Sequence, residues 1–219
     1  TEYEENLSID NYGSSMAPFY STLSIWIGGI VLVAMLKVTV SEESIKKMGL
    51  KNVRIHEIYL GRWIIFLILG LLQSTLIALG DLYYLGIQCE HTFLFLFGCW
   101  FSSIVYVTIS YTLTVSFGDI GKALVVVMVV IQIAGSGGTY PIETLPEIYQ
   151  KIYIFFPFPY AINAMRETIG GMYGSDYMKY LGELLLFAVA ALLIGLVIRL
   201  PFVKINHFVE KRMEDTEMM

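Results

Sequence analysis

Polar side chains within long apolar stretches are the residues of this chain whose types and spacing could do chemistry. Ser102, Tyr106 and Ser110 follow one another at intervals of four residues, so on a helix the three hydroxyls share one face. Gln73 and Gln132 lie near the middle of two other apolar stretches. If these stretches cross a membrane, such groups either bond helices together or line a polar path. Both interpretations are open from the sequence.

No pattern in the sequence indicates catalysis. The run from Gly118 to Lys122 contains a Gly-Lys pair, but its spacing is wrong for a phosphate-binding loop, and Ala123 replaces the Ser or Thr that would hold magnesium. Cys89, Cys99 and three scattered histidines do not have the spacing of a metal site. We therefore expect no catalytic residue, no metal and no cofactor, and a protein that is not an enzyme.

The composition indicates which elements must hold these polar groups. Of 219 residues, 56% are hydrophobic and 15% are charged, whereas a soluble domain has about 25% charged residues. The net charge of −5 also argues against a nucleic-acid partner. The composition therefore predicts an all-α polytopic membrane protein whose main partner is the lipid bilayer.

Five apolar runs are long enough, or nearly so, to cross a bilayer as helices, which takes about 20 residues each. They are residues 17–36, 63–80, 92–115, 120–134 and 180–200. Residues 17–204 are thus predicted to form one transmembrane domain. We expect residues 1–16 to be an extracellular lead-in from a preceding region, and residues 205–219 to be a cytoplasmic tail.

Basic residues orient these five spans, because cytoplasmic segments are enriched in Lys and Arg. With the N-terminus outside, eleven basic residues fall on the inner side and three on the outer side. The inner ones are Lys37, Lys46, Lys47, Lys51, Arg54, Arg62, Lys122, Arg199, Lys204, Lys211 and Arg212, and the outer ones are Lys151, Arg166 and Lys179. The sequence therefore predicts an external N-terminus and a cytoplasmic C-terminus.

The predicted cytoplasmic loop, residues 37–62, contains a candidate coupling helix. Thr39 and Glu42 fit a capping box at the start of a short amphipathic helix, and a second helical stretch is predicted at 53–60. The sequence allows two roles for this helix, which are compatible with each other. It lies on the membrane surface, where its lysines meet anionic lipid, or it docks a cytoplasmic motor. The coupling candidates are Lys46, Lys47, Lys51, Arg54, His56 and Glu57.

The predicted outer segment before the last span contains two short apolar helices, at 147–156 and 160–169, bounded by prolines and glycines. They are too short to cross the bilayer, so we expect them to be re-entrant. Candidate gate residues here are Glu143, Asn163, Arg166 and Glu167. Arg166 either pairs with Glu143, Glu147 or Glu167 to hold these helices in place, or lines the outer mouth.

Four segments carry a resemblance to a known family. They are YGSSMAPFY at 12–20, IWIGG at 25–29, GSGGTYPIE at 135–143 and FPYAINAMRE at 158–167. Together they resemble the C-terminal membrane domain of the phage infection protein (Pip/YhgE) family. That family is similar to ABC-2-type transporter membrane subunits, and a related domain occurs in the EsaA component of type VII secretion.

The resemblance implies a bacterial plasma-membrane domain of six helices, of which this chain holds the second to the sixth. It places the coupling helix of ABC-2 permeases at residues 37–62 and their re-entrant outer helices at 135–173. The implied function is a permease subunit, a homodimer working with a cytoplasmic ATPase or secretion-machine components, that helps to export a large or amphipathic substrate. The alternative is a membrane anchor or scaffold for a large extracellular domain, serving as a phage receptor or a type VII secretion component.

Overall fold

The computed structural model describes residues 9, 11–40, 45, 49, 53–139, 141–172 and 174–198. Over these ranges the chain forms seven α-helices and no β-strand, which confirms the predicted all-α class. The predicted tail at 205–219 lies outside the described residues, as does most of segment 1–10.

The helices follow one another with mostly short connections. They are α1 (Tyr12–Met35), α2 (Ile55–Leu79), α3 (Thr92–Phe117), α4 (Asp119–Gly135), α5 (Glu147–Ile152), α6 (Phe158–Gly170) and α7 (Asp176–Leu193). Single π-helical turns continue α2 through Gly80–Tyr84 and α7 through Ile194–Ile198. Two 3-10 turns, Ile142–Thr144 and Tyr153–Phe155, flank α5. The two short helices predicted at 147–156 and 160–169 are therefore present as α5 with its 3-10 turn and as α6.

Four of the described helices are long and apolar enough to cross a membrane: α1, α2, α3 and α7, the π turns included. The sequence predicted five spans. The remaining helix, α4, occupies the predicted run 120–134 but has only 17 residues. At about 1.5 Å per residue this is roughly 25 Å, somewhat less than the bilayer core of about 30 Å. The structure thus bears out a polytopic membrane fold with four candidate spans by length.

Three of these helices begin earlier than the apolar runs indicated, at residues 12, 55 and 176, and polar caps mark the starts of two of them, α1 and α2. α1 begins before residue 17, where the Asn11 side chain accepts a hydrogen bond from the Ser14 backbone N–H at 2.8 Å. In α2, the Glu57 carboxylate accepts from the Arg54 backbone N–H at 3.0 Å. The predicted helix at 53–60 and the predicted span at 63–80 are therefore one continuous helix.

The centre of the bundle is α3, which packs against α1, α2, α4, α6 and α7. One of its contacts is an aromatic cluster in which the fully buried Trp26 of α1 meets Tyr106 of α3 and Phe158 of α6. The ring centroids lie 4.9 Å and 5.6 Å from that of Trp26, in edge-to-face geometry. Trp26 Nε1 also donates to the Val125 carbonyl of α4 at 3.4 Å. One side chain thus joins four helices.

The outward faces of the long helices are apolar. Leu76 of α2 and Leu186 of α7 are 73% and 68% exposed, and they belong to a larger set of exposed Ile, Leu and Val side chains on the same helices. Many exposed apolar side chains on long helices are typical of a surface that contacts a membrane or another protein. The lipid bilayer is therefore the solvent that suits this surface.

One end of the bundle, the short-helix end, contains α5, α6, the described residues that flank them between 136 and 175, and the first turns of α1, α3 and α7. Backbone hydrogen bonds fasten its parts together: Gln88 N donates to Ser14 Oγ at 2.8 Å, and His91 N donates to the Thr168 carbonyl at 3.0 Å. These bonds attach the segment between α2 and α3 to α1 on one side and to α6 on the other.

The other end, the Lys37 end, contains the end of α1, the start of α2 and the turn between α3 and α4. Gly118 forms that turn with a φ of +61°, in the region that favours glycine. Because the turn involves a single residue between two helices, α3 and α4 form a tight helical hairpin. Gly121 lies directly against the backbone of α3 at this point.

Candidate functional site

An open groove of about 970 Å³ lies at the Lys37 end. It is formed by the last turn of α1, the segment that follows it and the first turns of α2. Its lining includes Leu36, Ile45, Val53, Ile58, Gly61 and Arg62. Lys37, Glu57 and Lys122 add charges to the same lining. A concave apolar surface with a few charged groups is the usual form of a binding site.

Arg62 fixes the geometry of this groove. Its guanidinium donates from Nε and from a terminal nitrogen to the Lys37 carbonyl, at 2.7 Å and 2.5 Å. The bond holds the end of α1 against the first turns of α2 and provides donors for a carbonyl that no longer has a partner within the helix. Lys122, on the α4 side, forms an exposed ion pair with Asp119 at 2.8 Å. Such pairs contribute under about 1 kcal/mol.

Half of the predicted coupling residues can be located. Arg54, His56 and Glu57 are exposed at the start of α2, and Glu57 also lines the groove. Lys46, Lys47 and Lys51 lie outside the described residues, as does Glu42 of the predicted capping box. The described coupling candidates therefore lie at the cap and first turn of α2, and Glu57 alone among them lines the groove.

The predicted row of hydroxyls on α3 is buried inside the bundle. Ser102 and Ser110 have no exposed surface, and neither does Tyr106, whose ring contacts the aromatic cluster. Among the described residues, none of the three hydroxyl oxygens has a hydrogen-bond partner. An unsatisfied buried hydroxyl costs about 1–3 kcal/mol. The row therefore places three unsatisfied hydroxyl groups inside the core, and the packing of the helices alone does not explain why polar side chains occupy these positions.

The two glutamines predicted to lie within spans are both found where one helix contacts another. Gln132 of α4 donates to the Met128 carbonyl at 3.1 Å and accepts from the Phe158 backbone N–H at 3.4 Å, which provides a partner for the first turn of α6. The Gln73 amide of α2 occupies the space that a side chain at Gly28 of α1 would fill. Beside it, an open groove of about 540 Å³ separates α1 from α2.

Side chains satisfy the irregular backbone around the short helices. Gln150 Nε2 donates to the Leu145 carbonyl at 2.7 Å and to the Glu143 carbonyl at 3.1 Å, and Tyr160 Oη donates to the Ile154 carbonyl at 2.8 Å. Non-helical backbone is tolerated at membrane depth only where protein or water provides such partners. These bonds make a re-entrant position possible.

Arg166 of α6 bonds to backbone oxygens of the chain that leaves α4. A terminal nitrogen donates to the Gly138 and Gly137 carbonyls at 3.0 Å and 3.3 Å, and the other reaches the Asn163 side chain at 3.4 Å. Burial lowers the pKa of the Arg166 guanidinium. The chain leaving α4 thus brings carbonyl oxygens to Arg166, while its pairing with Glu143, Glu147 or Glu167 and its role at the outer mouth both stay predictions.

Residues 1–197 match the model of a known family, described as ABC-2 family transporter protein. The chain belongs to this ABC-2 family. The match covers nine-tenths of the sequence and includes all seven described helices. An ABC-2 family membrane domain is part of a transporter, which fits the lack of a catalytic pattern in the sequence.

The ABC-2 domain is also similar to one curated bacterial protein. It is 28% identical over 202 residues to the protein named uncharacterized protein YhgE from Bacillus subtilis (strain 168). The alignment covers 92% of this chain but 24% of the relative, so the chain spans about a quarter of the relative's length. No solved structure matches the chain. The predicted resemblance to the Pip/YhgE family is thereby confirmed.

A second row of hydroxyls on α3 of the ABC-2 domain, Thr108, Thr112 and Ser116, has the same four-residue spacing, which favours hydrogen bonds between helices. The sequence did not indicate that α2 supplies the partners. Trp63 Nε1 donates to Thr108 Oγ1 at 3.0 Å, and the Tyr59 hydroxyl lies 2.7 Å from Thr112 Oγ1. Tyr111 Oη also donates to the Tyr59 carbonyl at 3.0 Å. The spacing in the sequence matches this contact: Tyr59 and Trp63 are four positions apart on α2, and Thr108 and Thr112 are four positions apart on α3.

Proposed function

We propose that this ABC-2 family domain is the permease part of a bacterial plasma-membrane exporter that moves a large or amphipathic substrate outward. The observation that carries the proposal is the groove at the Lys37 end. It lies beside the loop at residues 37–62, where the resemblance to ABC-2 permeases places a coupling helix. A cytoplasmic ATP-hydrolysing subunit would dock there and drive transport.

Charge supports an orientation with the Lys37 end in the cytoplasm. Of the described basic residues, Lys37, Arg54, Arg62 and Lys122 lie at this end. The short-helix end contains Lys151, Arg166 and Lys179. Counted over the whole sequence, the ratio is eleven to three, and the Lys and Arg bias is the property that orients membrane proteins.

On this proposal, α4 completes a fifth crossing. Its 17 residues are at the lower limit for a span, and the single-residue turn at Gly118 sends the chain back alongside α3. A re-entrant segment at the far end of α4 would cover the remaining distance to the outer surface. The N-terminus and the C-terminus of the domain then lie on opposite sides of the membrane.

The buried hydroxyl row of α3 supports a polar route through the bundle. Ser102, Tyr106 and Ser110 extend over two helical turns, and within the described part of the chain their oxygens are unpartnered. Intramembrane polar groups that do not pair usually face a water-filled or substrate-filled path in some state of a transporter. A homodimer, which the family resemblance implies, would place two such rows in one assembly.

An anchor or scaffold for an extracellular domain is the second candidate. The observation that favours it is length, because the ABC-2 domain corresponds to about a quarter of its relative from Bacillus subtilis. In a protein about four times as long as this domain, the domain would serve only to hold the other three quarters at the cell surface, as a phage receptor or a secretion component. The two functions differ in whether an ATP-hydrolysing partner is required.

Reversing the charge of the coupling loop distinguishes the two functions. In the test variant, Lys46, Lys47, Lys51 and Arg54 are all replaced by glutamate. We expect co-purification of an ATP-hydrolysing subunit from native membranes to fall more than about tenfold, because the glutamates would repel a partner surface that the wild-type basic residues attract. Lys151→Glu with Lys179→Glu, at the short-helix end, is the control and should leave co-purification unchanged. If no ATP-hydrolysing protein co-purifies with the wild type, or if the reversal has no effect, the scaffold is favoured.

A further inference from the structure

The groove at the Lys37 end carries more positive than negative charge. Of its described lining residues, Lys37, Arg62 and Lys122 are basic and Glu57 is acidic. Within the described part of the chain, neither Lys37 nor Arg62 pairs with a carboxylate, and the guanidinium of Arg62 bonds to a neutral carbonyl. Because unpaired cations attract an anionic partner, the charges of the groove favour an occupant that carries carboxylates.

The rest of the groove lining is mainly apolar. The end of α1, the segment after it and the first turns of α2 supply aliphatic side chains, among them Leu36, Val38, Ile58 and Ile65. Methionine is the side chain that adapts most readily to an irregular apolar surface, because it is flexible and unbranched. The occupant that suits this lining is therefore a segment that combines carboxylates with flexible apolar side chains.

Residues 213–219, with the sequence MEDTEMM, have this composition, and we call them the tail segment. They contain three carboxylates, three methionines and no basic residue. The residues between α7 and the tail segment, 199–212, contain four basic residues and one acidic residue. Residues 41–52, between α1 and α2, contain three lysines and two glutamates. The tail segment is therefore the acidic part of the chain on this side of α7.

The fold directs the chain after α7 towards the groove. The π-helical turn Ile194–Ile198 continues α7 and packs against α2 and α3. Gly195 of this turn lies directly against Tyr59 of α2, because a Cβ on Gly195 would come within 2.6 Å of a ring carbon of Tyr59. The preceding residue of α2, Ile58, lines the groove. The chain thus leaves α7 beside the helix that forms one wall of the groove.

The connecting residues are long enough to cover the remaining distance. Residues 199–212 span up to about 45 Å when extended, whereas a helix with its side chains is about 10–12 Å wide. A segment tethered so close to a site has an effective concentration on the order of mM, so modest contacts are enough to hold it. The acidic residues before α1 are not placed in this way, because α1 begins at the short-helix end.

We propose that the tail segment docks in the groove of its own chain, with its carboxylates against Lys37, Arg62 and Lys122 and its methionines on the apolar lining. Both surfaces belong to the same end of the bundle, so this contact does not rest on the export function or on the orientation in the membrane. Because the groove is also the proposed docking site of an ATP-hydrolysing subunit, the tail segment competes with that subunit for one surface.

Disulfide trapping in the purified full-length protein in lipid nanodiscs tests this contact. One cysteine replaces Gly61, which lines the groove and has no atom within 4 Å of a Cβ, and the other replaces Thr216. The matched control combines Thr216→Cys with Tyr84→Cys, because Tyr84 is 90% exposed at the far end of the same span. Under mild oxidation we expect at least about tenfold more intramolecular disulfide from position 61 than from position 84. Peptide mapping separates these bonds from any that involve Cys89 or Cys99.

Charge reversal tests whether the carboxylates hold the tail segment in the groove. We expect Glu214→Lys with Asp215→Lys and Glu217→Lys to lower the disulfide yield from position 61 at least about fivefold, because lysines would then meet a basic lining. Adding Lys37→Glu and Lys122→Glu to the same protein should restore most of the yield, since the two surfaces are complementary again. The rescue distinguishes a lost contact from a variant that does not fold.

Three results would overturn the proposal. The first is an equal disulfide yield from positions 61 and 84. The second is a yield that the charge reversal leaves unchanged, or a loss that the two compensating changes do not restore. The third is a disulfide that joins two chains, seen as a dimer on a non-reducing gel, because the occupant would then be the tail segment of a second copy.

Discussion

Gly121→Ala is expected to destabilise the domain by about 3 kcal/mol or more, at or above the upper end of the usual cost of overpacking. A Cβ at Gly121 would lie 2.5 Å from the carbonyl carbon of Leu113 and 2.9 Å from Thr114 Cα, with the Leu113 oxygen nearer still. These are backbone atoms of α3, so a side-chain rotation cannot relieve the clash. The α3–α4 hairpin would have to open at the Lys37 end.

Thermal unfolding in detergent, followed by size-exclusion chromatography of the heated sample, measures this effect. Gly182→Ala of α7 is the control, because a Cβ there meets no atom within 4 Å. In a helix interior this exchange is worth about 1 kcal/mol in favour of alanine, so the control should melt at the wild-type temperature or above. Equal melting of Gly121→Ala and the wild type would contradict the tight hairpin.

Trp26→Ala is expected to cost about 3–5 kcal/mol, the range for truncating a large buried aromatic side chain. Trp26 has no exposed surface and contacts Tyr106 and Phe158, while its Nε1 bonds to Val125. The variant would leave a cavity at the point where α1, α3, α4 and α6 meet. We expect the short-helix end to loosen first, because Phe158 starts α6.

Limited proteolysis together with thermal unfolding measures both parts of this prediction. Tyr12→Ala on the same helix is the control, since Tyr12 is 79% exposed, and it should change neither measurement. New cleavage between residues 136 and 175 in Trp26→Ala, absent from the control, is the expected result. If the Trp26→Ala protein unfolds at the same temperature as the wild type, the central position of the aromatic cluster is refuted.

The apolar runs were enough to predict the long helices, but they did not predict where α1 and α2 begin. Those starts depend on Asn11, whose side chain caps the backbone N–H of Ser14, and on Glu57, which caps that of Arg54. Each cap is one polar residue beside an apolar run, so it adds little to a hydropathy average. Local hydrogen bonds, and not hydrophobicity, set these boundaries.

The hydroxyl rows of α3 show why the candidate site could be predicted only in part. Their spacing predicted correctly that Ser102, Tyr106 and Ser110 share a face, and the row at Thr108 and Thr112 has the same spacing. The two rows nevertheless differ, because Trp63 and Tyr59 of α2 reach the threonines, whereas no described partner reaches the first row. Which helix faces which row is a property of the packed bundle.

Arg166 and Asp81 show the same limit for ionisable residues. The sequence offered Arg166 three nearby carboxylates, but the fold brings the Gly137 and Gly138 carbonyls to it. The predicted span ended at residue 80, and the next residue, Asp81, contacts Ser21, sixty positions earlier in the chain. Partners so distant in sequence cannot be inferred from spacing.

The most direct test of the permease function is photocrosslinking from the groove at the Lys37 end in native membranes. Gly61 is the suitable position for a photoreactive residue, because it lines the groove and no atom lies within 4 Å of its Cβ direction. Tyr84, 90% exposed at the far end of the same span, is the control position. We predict a crosslink from position 61 to an ATP-hydrolysing protein and none from position 84. If the photoreactive residue at position 61 captures no ATP-hydrolysing protein, the proposed permease function is contradicted.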